Sequence, residues 1–88
     1  MTQAELKRAW KAYTDGCGSL NPERTITLDQ FKERFAAFDA VIDPWITGEG
    51  SKESSVRKFA KSLGLKTWQG RAIFRAMFDV IDSIHPIT

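Results

Sequence analysis

Seven of the chain's thirteen Lys and Arg residues fall between Lys52 and Arg75: Lys52, Arg57, Lys58, Lys61, Lys66, Arg71 and Arg75. Over residues 51–77 they meet one acid, Glu53, so this stretch carries a net +6. Residues 1–50 carry six Lys or Arg against eight Asp or Glu, and residues 78–88 add only Asp79 and Asp82, which brings the whole chain to +2. The chemistry of such an array is attraction of a polyanion to one end of the molecule, driven by Coulomb steering and counterion release. Trp68, Arg71 and Arg75 follow i, i+3, i+7 spacing, so a helix over this segment aligns an aromatic plane and two guanidiniums on one stripe. The plain alternative is that these cations decorate solvated helix faces.

Other chemistries find little material. Nucleophilic catalysis needs a base beside Ser, Thr or Cys, and His85 is the chain's only histidine, fourth from the end of the sequence, where a solvated imidazole is the expectation. Cys17 is the only cysteine, so no intramolecular disulfide can form, and with His85 it cannot fill a tetrahedral metal shell. Asp39 and Asp43 lie one helical turn apart, a pairing common on helix surfaces without a task. The run Ser19 to Gln30 loosely follows a calcium loop, but Arg24 stands at the turn glycine and Gln30 at the closing glutamate, so calcium is not expected. The sequence therefore reads as a non-enzymatic protein with no catalytic residues, no metal and no cofactor.

The elements that must position the cations follow from periodicity and capping. With 42% hydrophobic and 27% charged residues, an 88-residue chain fills one core and can fold without staples, at a stability of about 5 kcal/mol. Thr2 with Glu5 and Thr27 with Gln30 are capping boxes that start two helices. Leu6, Ala9, Trp10 and Tyr13 form the inward stripe of the first, which Asp15-Gly16-Cys17-Gly18 should end. A loop over Ser19–Thr25 follows, and then the seam Phe31, Phe35, Phe38 and Ile42 of the second helix. Pro44 disfavours helix in the residue before it, so that helix should stop by Asp43. Trp45 and Ile46, too apolar for a free linker, are expected to pack on the core as a lid; the functional alternative is an exposed partner-binding knob.

Ser51 or Ser54 can cap a third helix, with Val56, Phe59, Ala60 and Leu63 inward. Gly64 turns the chain, Leu65 packs back, and Thr67 caps a long fourth helix with Ile73, Phe74, Met77, Phe78, Ile81 and Ile84 inward. The expected fold is all-α, one domain over residues 1–88, a compact bundle of four helices at about 3–15, 28–42, 52–63 and 68–84. No stretch reaches the roughly 20 apolar residues of a membrane span and the N-terminus lacks a secretory signal, so a cytoplasmic protein with no membrane partner is expected.

The segment from Phe59 to Ile73 resembles the helix-turn-helix DNA-binding domains: Ala60 is the small residue inside the first helix, Gly64 the turn glycine, and Phe59, Leu63, Leu65 and Ile73 the apolar frame. The match covers residues 56–73. Gly70 departs from it, standing where that family buries Val or Ile, and a glycine inside a helix costs about 1 kcal/mol relative to alanine. The resemblance implies that the last two helices form a helix-turn-helix, with Lys66, Thr67, Trp68, Gln69 and Arg71 meeting base edges and Arg57, Lys58 and Lys61 holding phosphates. Arg75 joins them on the Trp68 stripe. Double-stranded DNA, bound by a monomer or a homodimer in a bacterial or phage regulator, is the partner so implied. The second expectation is a protein–protein interaction module, such as a small phage-encoded inhibitor of a host nucleic-acid-binding complex, with Trp45 and Trp68 as its partner-binding residues.

Overall fold

The computed structural model describes residues 2–16 and 26–85. They form four helices and no strand: α1 Gln3–Gly16, α2 Leu28–Ile46, α3 Lys52–Ser62 and α4 Thr67–Ile84. The expected four-helix bundle is the fold, and α4 packs against each of the other three helices. The Ser19–Thr25 loop, most of the candidate calcium run and Cys17 lie outside the described residues. None of the four helices is long and apolar enough to cross a membrane.

Both capping boxes form. The Thr2 N–H donates to Glu5 Oε1 at 2.9 Å and the Glu5 N–H to Thr2 Oγ1 at 3.1 Å. The Thr27 N–H donates to Gln30 Oε1 at 2.9 Å and the Gln30 N–H to Thr27 Oγ1 at 3.2 Å. The bond to the Thr2 backbone, helped by its hydroxyl, lowers the Glu5 pKa to about 2. His85 is exposed, as expected, and its Nε2 pairs with the Glu5 carboxylate and ties the end of α4 to the start of α1. A second tie runs from Trp10 Nε1–H to the Ile26 carbonyl at 2.8 Å, fixing α1 beside the start of α2.

The sequence reading ends α2 by Asp43, yet the helix continues through Pro44 to Ile46. Proline removes one N–H and crowds one carbonyl, effects that are tolerable in a last turn when the remaining carbonyls are satisfied. Here the Asp43 carbonyl accepts from the Thr47 N–H at 2.9 Å and the Thr47 hydroxyl at 3.0 Å, and the Pro44 carbonyl accepts from the Gly50 N–H at 2.8 Å. The extra turn carries Trp45 onto the α4 rings Phe78 and Phe74, at centroid distances of 5.1 and 6.2 Å. Ring burial outweighs the local preference.

Phe74 is the centre of this packing. It is fully buried and meets Phe38 of α2 at 5.0 Å, Phe59 of α3 edge-on at 5.6 Å, and Trp45. Ser55, buried and polar, donates its hydroxyl to the Val41 carbonyl at 2.8 Å and joins α3 to α2 without leaving an unsatisfied group. Truncating Phe74 removes a side chain shared by α2, α3 and α4. Phe74→Ala should lower the free energy of unfolding by about 3–5 kcal/mol, most of what a domain this size has, as read from urea denaturation followed by circular dichroism.

Candidate nucleic-acid interface

The basic stretch is presented by α3, its turn and the first half of α4. Ser51 caps α3, its hydroxyl accepting from the Ser54 N–H at 3.1 Å. At the other end, the Leu65 N–H donates to the Ala60 carbonyl at 2.9 Å and the Gly64 N–H to the Lys61 carbonyl at 3.2 Å. These are the two bonds of a Schellman turn, with Gly64 at φ +67° supplying the left-handed residue such a turn requires. Leu65 is thereby returned to the core, and α4 can begin two residues later.

The cap of α4 differs from expectation. Thr67 is already helical, and the N-cap is Lys66, whose side chain has no oxygen to accept the orphan N–H groups. The Lys66 N–H instead donates to Gln69 Oε1 at 3.2 Å, half of a capping box. Gln69 therefore spends its carbonyl oxygen on the backbone and keeps its amide N–H groups for other contacts.

Gly70 is buried, and its departure from the helix-turn-helix pattern has a steric reason. A Cβ placed on it would lie 2.3 Å from Ala60 Cβ and 2.9 Å from Ala60 Cα. The glycine lets α4 approach α3 backbone to backbone, with Ala60 as the small residue opposite, so a Val or Ile here would push the helices apart.

Around this contact, Arg57, Lys58, Lys61, Lys66, Thr67, Trp68, Arg71 and Arg75 are exposed and Gln69 is half-buried. Trp68 is 60% exposed and, with Ile46 at 43%, is one of the two large hydrophobic side chains left in solvent among the described residues. The opposite face of α4, with Ile73, Phe74 and Met77, is fully inside.

Ion pairing divides the cations. Arg71 Nη2 donates to Glu53 Oε1 at 2.5 Å across the helix pair, and Arg57 Nε approaches the same oxygen at 3.5 Å from one turn along α3. The Arg71 hydrogen bond, followed by its charge and that of Arg57, holds the Glu53 carboxyl below the usual carboxylate range. The pair therefore contributes fully above the ordinary Glu pKa of about 4.3 and is lost as pH falls through the lowered value.

Farther along α4, Arg75 stands on the rim of a shallow cleft of about 240 Å³ with Trp45, Lys52, Phe74, Phe78 and Asp79. Of the expected lid, Trp45 is half-buried against the core, with Lys52 Nζ 5.8 Å from its ring centroid, whereas Ile46 does not pack down and stays exposed. Lys52 and Glu53, counted in the charge balance of the segment, are thus members of this surface that were not among the expected site residues. The i, i+4 spacing of Glu53 and Arg57 was a visible signal. The Glu53–Arg71 and Lys52–Trp45 contacts are tertiary and had none.

Among the described residues no cluster of three or more His, Cys, Asp or Glu is arranged to hold a metal. Asp39 and Asp43 are exposed. Comparison with protein-family models, curated proteins and solved structures returns no match for this chain.

The Ala60–Gly70 contact makes an unusual sign testable. In an open helix Gly→Ala stabilises by about 1 kcal/mol; here Gly70→Ala should destabilise by about 1–3 kcal/mol in urea unfolding, because the added methyl overpacks the helix contact. Ala60→Gly in the same chain should recover part of that loss, a coupling read from the double-mutant cycle.

Proposed function

We propose that this protein is a non-enzymatic nucleic-acid-binding protein that docks double-stranded DNA on the first three turns of α4, with α3 and the turn against the phosphate backbone. The observation that carries the reading is the joint exposure of Trp68, Arg71 and Arg75, beside Lys66 and Thr67, on the face of α4 opposite its buried Ile73, Phe74 and Met77. An indole left in solvent amid cations has a physical use against DNA: its apolar face packs on sugar or base while neighbouring guanidiniums engage guanine edges or phosphates. Lys58 and Lys61 on α3, exposed and without an ion pair among the described residues, suit phosphate contacts that set register without reading sequence. Gln69, with its oxygen committed to the Lys66 N–H, can offer only its amide donors.

A second reading, a protein-binding module, is favoured by the same Trp68 exposure, since a solvent-exposed Trp flanked by Arg is the composition of an interface hot spot. The two separate by salt dependence. Polarisation titration of a labelled mixed-sequence duplex should show affinity falling about 500-fold between 50 and 200 mM salt if about five phosphates are neutralised, whereas a protein interface responds weakly. Charge reversal of Arg71 and Arg75 should abolish the binding. No association of the folded wild-type chain at 20 mM salt rejects the DNA reading.

Lys66 offers an orthogonal check. Lys66→Ser supplies the missing cap and should stabilise the fold by about 1 kcal/mol, a rise of roughly 4–8 °C in Tm, while weakening DNA binding and flattening the salt slope by about one unit.

A further inference from the structure

Glu53 is the lone acid in residues 51–77, and it stands between two arginines rather than apart from them. One carboxylate oxygen receives Nη2 of Arg71 and Nε of Arg57, one guanidinium from each helix of the pair. An anionic oxygen gripped by two converging guanidiniums is the arrangement these side chains adopt around a phosphodiester. The grip is open to solvent: the Arg57, Arg71 and Glu53 side chains are 72%, 51% and 48% exposed. Glu53 is held there independently of the arginines, because it lies in the first turn of α3, where the helix dipole favours an acid.

We propose that Arg57 and Arg71 form a binding site for one backbone phosphate of DNA, and that Glu53 occupies it in the free protein as an internal phosphate stand-in that the incoming strand displaces. The inference rests on the DNA reading of α3 and α4 and adds to it a site and a limiter. Displacement exchanges one ion pair for another and leaves the Glu53 charge beside the strand, so the site offers less net positive charge and releases fewer of the DNA's condensed counterions than two unpaired arginines would. Non-specific association is thereby held down, while a strand placed by Lys66, Trp68 and Arg75 still gains the site.

The test is a polarisation titration of a labelled duplex across 20–400 mM salt with wild type, Glu53→Gln, Glu53→Gln/Arg71→Gln, Arg71→Gln and Glu49→Gln, each checked for folding by thermal melting. One additional phosphate contact steepens the salt slope by about 0.9 and is equivalent to about 15-fold in affinity between 1 M and 50 mM salt. Glu53→Gln should therefore bind roughly tenfold more tightly at 50 mM salt, with a steeper slope, and the gain should vanish in the Arg71→Gln background. Glu49→Gln, which removes an exposed acid from the connection before α3, controls for net charge and should change affinity far less. Wild-type binding with no gain in Glu53→Gln, or an equal gain in Glu49→Gln, overturns the limiter and leaves the DNA reading standing. Absence of binding by wild type and Glu53→Gln alike at 20 mM salt overturns the DNA reading and the limiter with it.

Discussion

The architecture depends on one missing methyl group. At Gly70 the backbone of α4 comes so close to Ala60 that no side chain fits between them. Because the helices meet there, Phe59 and Phe74, each one turn or less from the contact, interlock edge-on at 5.6 Å. Arg71, the residue after the glycine, also comes within reach of Glu53 on the neighbouring helix. A glycine within a helix gives up as much as about 1 kcal/mol of helix propensity. The burial it permits is larger, since each enclosed Phe contributes about 2 kcal/mol of transfer free energy. Packing and surface electrostatics are therefore set by the same constraint, and neither can change without the other.

A second dependency runs through the rings. Phe74 receives Phe38 and Trp45 from α2 and Phe59 from α3, so three helices are registered by one side chain. Trp45 reaches it only because α2 persists through Pro44, and the turn after it closes with the Thr47 and Gly50 hydrogen bonds. Lys52 then lies over the outer face of Trp45, so the first residue of α3 is anchored to the end of α2. That anchoring sets where Glu53, the next residue, can stand.

Local features were legible in the sequence. The four helices, the Phe31, Phe35, Phe38 and Ile42 seam (with Phe35 only half-buried), both capping boxes and the Gly64 turn all follow from spacing over a few residues, and periodicity also separates the exposed cations from the buried stripes. What escaped the sequence is what distance along the chain conceals. Pro44 signals a stop by local rule, and only the rings that receive Trp45 override it. His85 has no partner nearby in sequence and finds Glu5 in space. Gly70 reads as a defect in a pattern until Ala60 is placed opposite it. Lys66 is a partial exception, because Lys66-x-x-Gln69 is a half-written capping box that the more typical cap residue Thr67 obscured.

That cap bears on function. Where α2 and α3 begin with Thr27 and Ser51, whose hydroxyls accept backbone N–H groups, α4 begins with a lysine that cannot, and its first turn contains no acid. A non-capping residue at this position forfeits about 1 kcal/mol, and a cation against the positive end of a helix dipole adds a few tenths. The same chain applies the capping rule three times elsewhere, so composition alone does not account for the exception. Local rules are broken most often where a surface serves something other than stability. Here the breach adjoins the exposed Trp68, in the turn that the DNA reading places against the duplex, where the positive end of the helix and the lysine charge act in the same direction on a phosphate. On the DNA reading proposed above, a residue unfavourable to the isolated fold would become favourable once a polyanion is bound.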